Sequence, residues 1–144
     1  MNISVLFLLL LLPFQWETNF ESAQKTAKDQ HKLILLNFSG SDWCGPCILL
    51  KKDYFDHATF ITMADSNLVL VNADFPRKKK NMGDPDLIKS NEELAMRYNK
   101  TGSFPLTLLL DPEGNVLHVW NEKPTTPVDK WTEEIRSLCI ANKQ

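Results

Sequence analysis

The chain has 144 residues, 43% of them hydrophobic, and a net charge of −2. That length and apolar content support one sizeable core and give no sign of a second domain. From a charge so close to neutral no general attraction for nucleic acid or for acidic membrane surfaces follows.

Residues 5–12 (VLFLLLLL) form an unbroken apolar stretch bounded by Pro13, long enough for a signal-peptide core and too short to span a bilayer unaided. No Lys or Arg precedes it, no small-x-small site follows it, and Gln15, Glu17 and Asn19 come immediately after. The expectation is a signal peptide or apolar leader over residues 1–18, a folded domain over residues 19–144, export from the cytoplasm, and no stable membrane span. An uncleaved anchor and a cytosolic apolar tail are the alternatives.

Residues 19–30 place Phe20, Ala23 and Ala27 on one helical face, with Asn19 as the cap. Residues 33–38 are an apolar run broken only by Asn37, as suits a central strand covered on both faces. The chain then turns through residues 39–42 into a helix beginning near Cys44, on which Leu49, Leu50 and Phe55 are expected to face the core. Residues 56–66 add a short helical stretch, and residues 68–74 (LVLVNAD) supply the next strand. Residues 75–90, with Pro76, Gly83 and Pro85, read as a long loop. Within it the basic run at residues 77–80 (RKKK) is either a solvated insertion or a docking patch for an acidic partner.

Residues 91–99 are predicted helical, with Leu94, Ala95 and Tyr98 spaced for burial. Residues 106–110 and 116–120 flank the turn DPEGN and predict an antiparallel hairpin. Residues 129–141 close the chain as a helix with Trp131, Ile135 and Leu138 inward. Alternating helix and strand followed by a hairpin implies an α/β fold, with a central mixed sheet and helices on both faces.

The chemistry concentrates in residues 43–47 (WCGPC). Two thiols three positions apart at a helix start can close and reopen a small disulfide, the behaviour of a redox switch. At the N-terminus, free amides and the helix dipole favour thiolate, which makes Cys44 the attacking sulfur. Cys47, one turn further in and less solvated, is the resolving sulfur. Pro46 sits where a missing amide hydrogen costs little, and Gly45 leaves room for a substrate backbone. Trp43, beside Cys44, reads as a substrate-facing platform rather than plain packing. Lowering a thiol from about 8.5 to about 7 makes half of it reactive at neutral pH.

A zinc site would need four ligands, and Cys139, His31, His57 and His118 form no second close pair, so no metal is expected. A purely structural bridge over so short a loop would remove little chain entropy. No cofactor is expected beyond the Cys44–Cys47 disulfide itself.

WCGPC resembles the active site of thioredoxin. The likeness extends to the strand before it (KLILLNF) and to residues 103–111 (SFPLTLLLD), and so covers nearly all of the chain after the leader. More narrowly, FSGSDWCGPC with the lysine-rich helix, DYF and VLVNADF is similar to extracytoplasmic thioredoxin-like proteins of bacteria and to the reductase domain of the membrane thiol:disulfide interchange protein. The resemblance implies a thioredoxin-like fold, a periplasmic or secreted site of action, protein thiols and disulfides as substrates, and an unidentified electron donor or acceptor. It makes Pro105 the position of a cis-proline opposite the sulfurs, keeping metal off the dithiol. Phe104 would then offer its backbone to an extended substrate by strand addition. An ordinary trans proline at a strand start is the alternative.

One position departs from the family pattern. Thioredoxin carries a buried aspartate before the active site as proton acceptor for the resolving cysteine, and the matching residue is Asn37, which cannot take a proton. Water, Asp42 or Lys51 would have to serve, and Asn37 would be a satisfied core amide. Cys139 fits a small buried hydrophobe on the last helix, or an exposed thiol that pairs between chains. The function expected is thiol:disulfide exchange, reducing protein disulfides outside the cytoplasm. The alternatives are a net oxidant or isomerase, and a non-catalytic module that holds unfolded chains on the Phe104–Pro105 edge.

Overall fold

Seven consecutive buried residues make β1 (Leu33–Ser39) the centre of the sheet, since only a strand covered on both faces can be apolar without alternation. A computed structural model describes residues 14–143; the apolar stretch at residues 5–12 lies outside them. β1 pairs in parallel with β2 (Leu68–Asp74) and antiparallel with β3 (Leu106–Leu110). β4 (Val116–Trp120) pairs antiparallel with β3, so the strand order is β2-β1-β3-β4.

Side chains alternate across this mixed sheet. Ile34, Leu36 and Phe38 face a layer made by α1 (Phe20–Gln30) and α4 (Pro85–Tyr98). Leu33 and Leu35 face the opposite layer, made by α2 (Gly45–Leu50), α3 (Ala58–Asn67) and α5 (Val128–Ala141). The second layer is aromatic: Phe60 stacks on Trp131 at 6.0 Å, and Tyr54 and Trp120 meet Trp131 edge-on. This is the α/β arrangement expected from the sequence, with helices on both faces.

Several local expectations shift. α4 begins at Pro85, six residues before the predicted start, because Pro85 stands where no amide hydrogen is needed and the Asp84 carboxylate accepts from the Leu87 amide at 2.9 Å. The proline read as a loop signal is a helix start. Leu49 faces solvent, 46% exposed, beside Ile48 at 47%. Helical spacing gives the inward positions to Cys47, Leu50 and Tyr54, and the last of these is carried by a π-helical turn at Lys51–Phe55 that continues α2. On α5 the fully buried place belongs to Cys139, with Leu138 half-buried.

Residues 14–18, within the stretch assigned to the leader, run along the outer edge of β2. The Glu17 amide donates to the Leu70 carbonyl at 2.7 Å and its carbonyl accepts from Asn72 at 3.1 Å. Trp16 packs edge-on against Phe55 at 4.9 Å.

Candidate active site

The strand β1 ends at Ser39, and the turn that follows must bring two sulfurs to the start of α2. Cys44 is the N-cap residue of that helix, in extended conformation, and its Sγ accepts the Cys47 amide hydrogen at 3.3 Å. A sulfur held there sees a backbone donor and the positive end of the helix, both of which favour thiolate. The two sulfurs are bonded to each other, with Cα atoms 5.3 Å apart. In this oxidised form both cysteines are buried, Cys44 at 5% and Cys47 at 4% exposure. The expected difference in exposure is therefore absent while the bond is closed; the sulfurs differ in their place on the helix. Gly45 and Pro46, between them, are exposed.

Pro105 lies at the entry to β3, and the Phe104–Pro105 peptide bond is cis. Phe104 is half-buried and meets the Trp43 ring edge-on at 5.3 Å and the Phe75 ring at 5.5 Å. The half-buried tryptophan is held by several neighbours. Its Nε1 donates to the Phe75 carbonyl at 2.7 Å, and a Cβ on Gly40 would stand 2.3 Å from its ring, so only glycine lets the indole lie flat on this turn. The Arg77 guanidinium covers the ring face at 3.9 Å from its centre. The surface that Trp43 was expected to offer is thus shared with a cation.

Arg77 is held there by Asp42, a residue whose part the sequence did not reveal. One Asp42 oxygen accepts from the Arg77 amide at 2.9 Å; the other accepts from the Lys78 amide at 3.0 Å and from Asn81 Nδ2 at 2.9 Å. These bonds, the Arg77 amide foremost and then the Asn81 side chain, hold the Asp42 carboxyl down at about 2. A group so acidic, with its oxygens occupied, is a poor proton acceptor at neutral pH. Lys51, the other candidate, is exposed and paired with Asp56 at 2.7 Å.

Asn37 is buried and lies on the face of β1 that carries Leu33 and Leu35, the side covered by α2. Strand register sets it between Asn72 on β2 and Thr107 on β3. Its amide donates to Asn72 Oδ1 at 3.0 Å and its Oδ1 accepts from Thr107 Oγ1 at 3.1 Å. It is a satisfied core amide in a polar row across three strands. Cys139 is fully buried, and burial pushes its thiol up to about 11. Such a thiol is inert at neutral pH.

Among the described residues no helix is long and apolar enough to cross a membrane. A family model described as thioredoxin-like matches residues 15–112. The disulfide bond reductase DsbH of Chlamydia pneumoniae is 37% identical over 103 residues, which are 72% of this chain and 60% of that relative's length. A solved structure of a DsbH oxidoreductase superposes with a TM-score of 0.79 at 30% identity, covering 88% of this chain and 85% of the other. A thioredoxin from Thermus thermophilus shares the fold, with a TM-score of 0.66 at 14% identity over 90% of this chain and 89% of its own.

Proposed function

This chain belongs to the thioredoxin-like family, and from that premise we propose that it is a thiol:disulfide oxidoreductase that reduces protein disulfides outside the cytoplasm. The observation that carries the reading is the Cys44 sulfur at the cap of α2, bonded to Cys47 and accepting its amide hydrogen.

In the forward reaction the Cys44 thiolate attacks one sulfur of a substrate disulfide. A mixed disulfide forms and the other substrate sulfur leaves as a thiolate. Cys47 then loses its proton and attacks the Cys44 sulfur, the second substrate sulfur leaves, and the protein departs oxidised while the substrate carries two thiols. A dithiol donor must reduce the Cys44–Cys47 bond before the next cycle. The exposed Gly45 and Pro46 and the Phe104 backbone form the surface over which an extended substrate would lie. No cofactor or metal enters this scheme.

The reducing direction is favoured by the Gly-Pro pair between the cysteines and by the name of the DsbH relative, a disulfide bond reductase. Asn37 favours the second reading, a net oxidant or isomerase, because the proton acceptor usual in reducing members is missing there. Action outside the cytoplasm rests on the apolar stretch at residues 5–12.

Insulin reduction tests the proposal. Cys44→Ser and Cys47→Ser should each abolish turnover, and Cys47→Ser should accumulate a mixed disulfide on Cys44, visible by mass spectrometry. A module that only holds unfolded chains would be indifferent to either change, and that result would overturn the assignment.

A further inference from the structure

Four of the chain's 16 Lys and Arg residues lie in one run, Arg77, Lys78, Lys79 and Lys80, on a protein whose net charge is −2. All four are exposed. A basic run in a free loop would be a solvated insertion, but this one is tied in place. Asp42 grips the loop through the amides of Arg77 and Lys78 and the side chain of Asn81, and it stands next in sequence to Trp43. Because the grip acts largely on backbone, the side chains of Lys78, Lys79 and Lys80 remain free, while the Arg77 guanidinium lies on Trp43. Two carboxylates near the loop are turned to the chain's own donors: Asp74 accepts from the Ser41 amide at 2.9 Å, and Asp84 caps α4.

The loop is also continuous with the reaction centre. Arg77 lies on Trp43, Trp43 touches Phe104, and Phe75 at the base of the loop touches Phe104 as well. A polypeptide laid on the Phe104 backbone with its disulfide at Cys44 therefore has beside it a basic run whose backbone is latched and whose first cation is seated on Trp43. A charged run on a held backbone adds affinity for the opposite charge with a reduced ordering cost, and it steers encounter.

We propose that residues 77–80 form a recognition surface for acidic polypeptide, and that the preferred substrates of this protein carry Asp or Glu beside the disulfide. The inference rests on the proposed thiol:disulfide exchange and names its substrate class.

The test uses two fluorescent cystine peptides of one length, flanked by Glu in one and Lys in the other. Matching peptides with Ser for Cys report binding alone. The reduced protein should favour the acidic cystine peptide by about tenfold in kcat/KM at low ionic strength, and the preference should shrink to about twofold near 0.5 M salt, where screening is nearly complete. Lys78→Glu with Lys79→Glu and Lys80→Glu, a change that leaves the amides held by Asp42 in place, should invert the ratio. Because each protein is compared with itself, partial loss of folding cancels; Arg77→Ala, expected to lower the ratio by a smaller factor, gives a second reading.

Equal kcat/KM for the two peptides in the parent protein would overturn the inference. Capture by vesicles containing anionic lipid, with no discrimination between peptides, would assign the loop to a membrane surface and overturn it too. Absence of turnover with both peptides would sink the exchange reading; the Ser-substituted pair, if the acidic one still binds more tightly, would then support the cationic surface on its own.

Discussion

The cysteine turn and the basic loop meet at Trp43, and they are held by different forces. Cys47 and Leu50 are 4% and 1% exposed, and behind them Tyr54 and Phe55 join the aromatic layer around Trp131. Residues 77–81 are exposed, and one carboxylate with three hydrogen bonds keeps them in register. The position of the sulfurs is thus tied to the stability of the whole fold. The position of the cations follows a local equilibrium that can open without unfolding the sheet. The sulfurs thus sit on the rigid part of the molecule and the basic run on the adjustable one.

The largest effect should come from removing a core anchor. Leu50→Ala deletes a fully buried side chain under α2 and should lower stability by about 2–5 kcal/mol. Urea denaturation of the oxidised form measures it. A loss below about 1 kcal/mol would mean that α2 is not held from beneath and would dissolve the contrast.

A smaller effect is expected within the polar row under the same face. Asn37→Asp places a carboxylate where Thr107 still donates and where Asn72 must turn its amide to donate as well. The cost should be about 1–3 kcal/mol, because a buried charge is only partly compensated. If Asn37 lies on the proton path from Cys47, resolution of the mixed disulfide should quicken in stopped-flow measurements, since desolvation raises the new carboxyl toward a useful range. Unchanged rate and unchanged stability together would remove Asn37 from the site.

The smallest global effect belongs to the latch. Asp42→Asn should leave the urea midpoint nearly unchanged while trypsin cuts after residues 77–80 several times faster, because the loop opens more often. Equal cleavage rates would show that the loop is held by something other than Asp42. Acid should act in the same way. The Asp42 carboxyl is held below its ordinary 3.8, at about 2, so its hydrogen bonds contribute fully above 3.8 and are lost as pH falls toward 2. The Trp43 indole N–H resonance should shift across that window while the amides of β1 do not, and a shift only at higher pH would assign the change to another group.

What the sequence determined by itself was whatever depends on near neighbours along the chain. The apolar run of β1, the hairpin about DPEGN and the Asn19 cap of α1 were all legible, because periodicity and capping act over a few residues. So was the cysteine pair, read as lying at a helix start with Cys47 one turn further in; that the Cys44 sulfur itself caps the helix came from the structure. The same local logic misplaced the start of α4, where Pro85 was weighed as a breaker without the capping carboxylate beside it, and the orientation of Leu49, which depends on which stripe of α2 meets the sheet. Tertiary structure alone decided the surroundings of the sulfurs. Asp42 reaches the Arg77 amide across 35 positions and Thr107 reaches Asn37 across 70. Such pairings require strands from distant parts of the chain to lie in one register, and register is settled by burial of whole faces during assembly. A carboxylate read one residue at a time looks like a solvated charge or a base; only the loop folded against it makes Asp42 a latch.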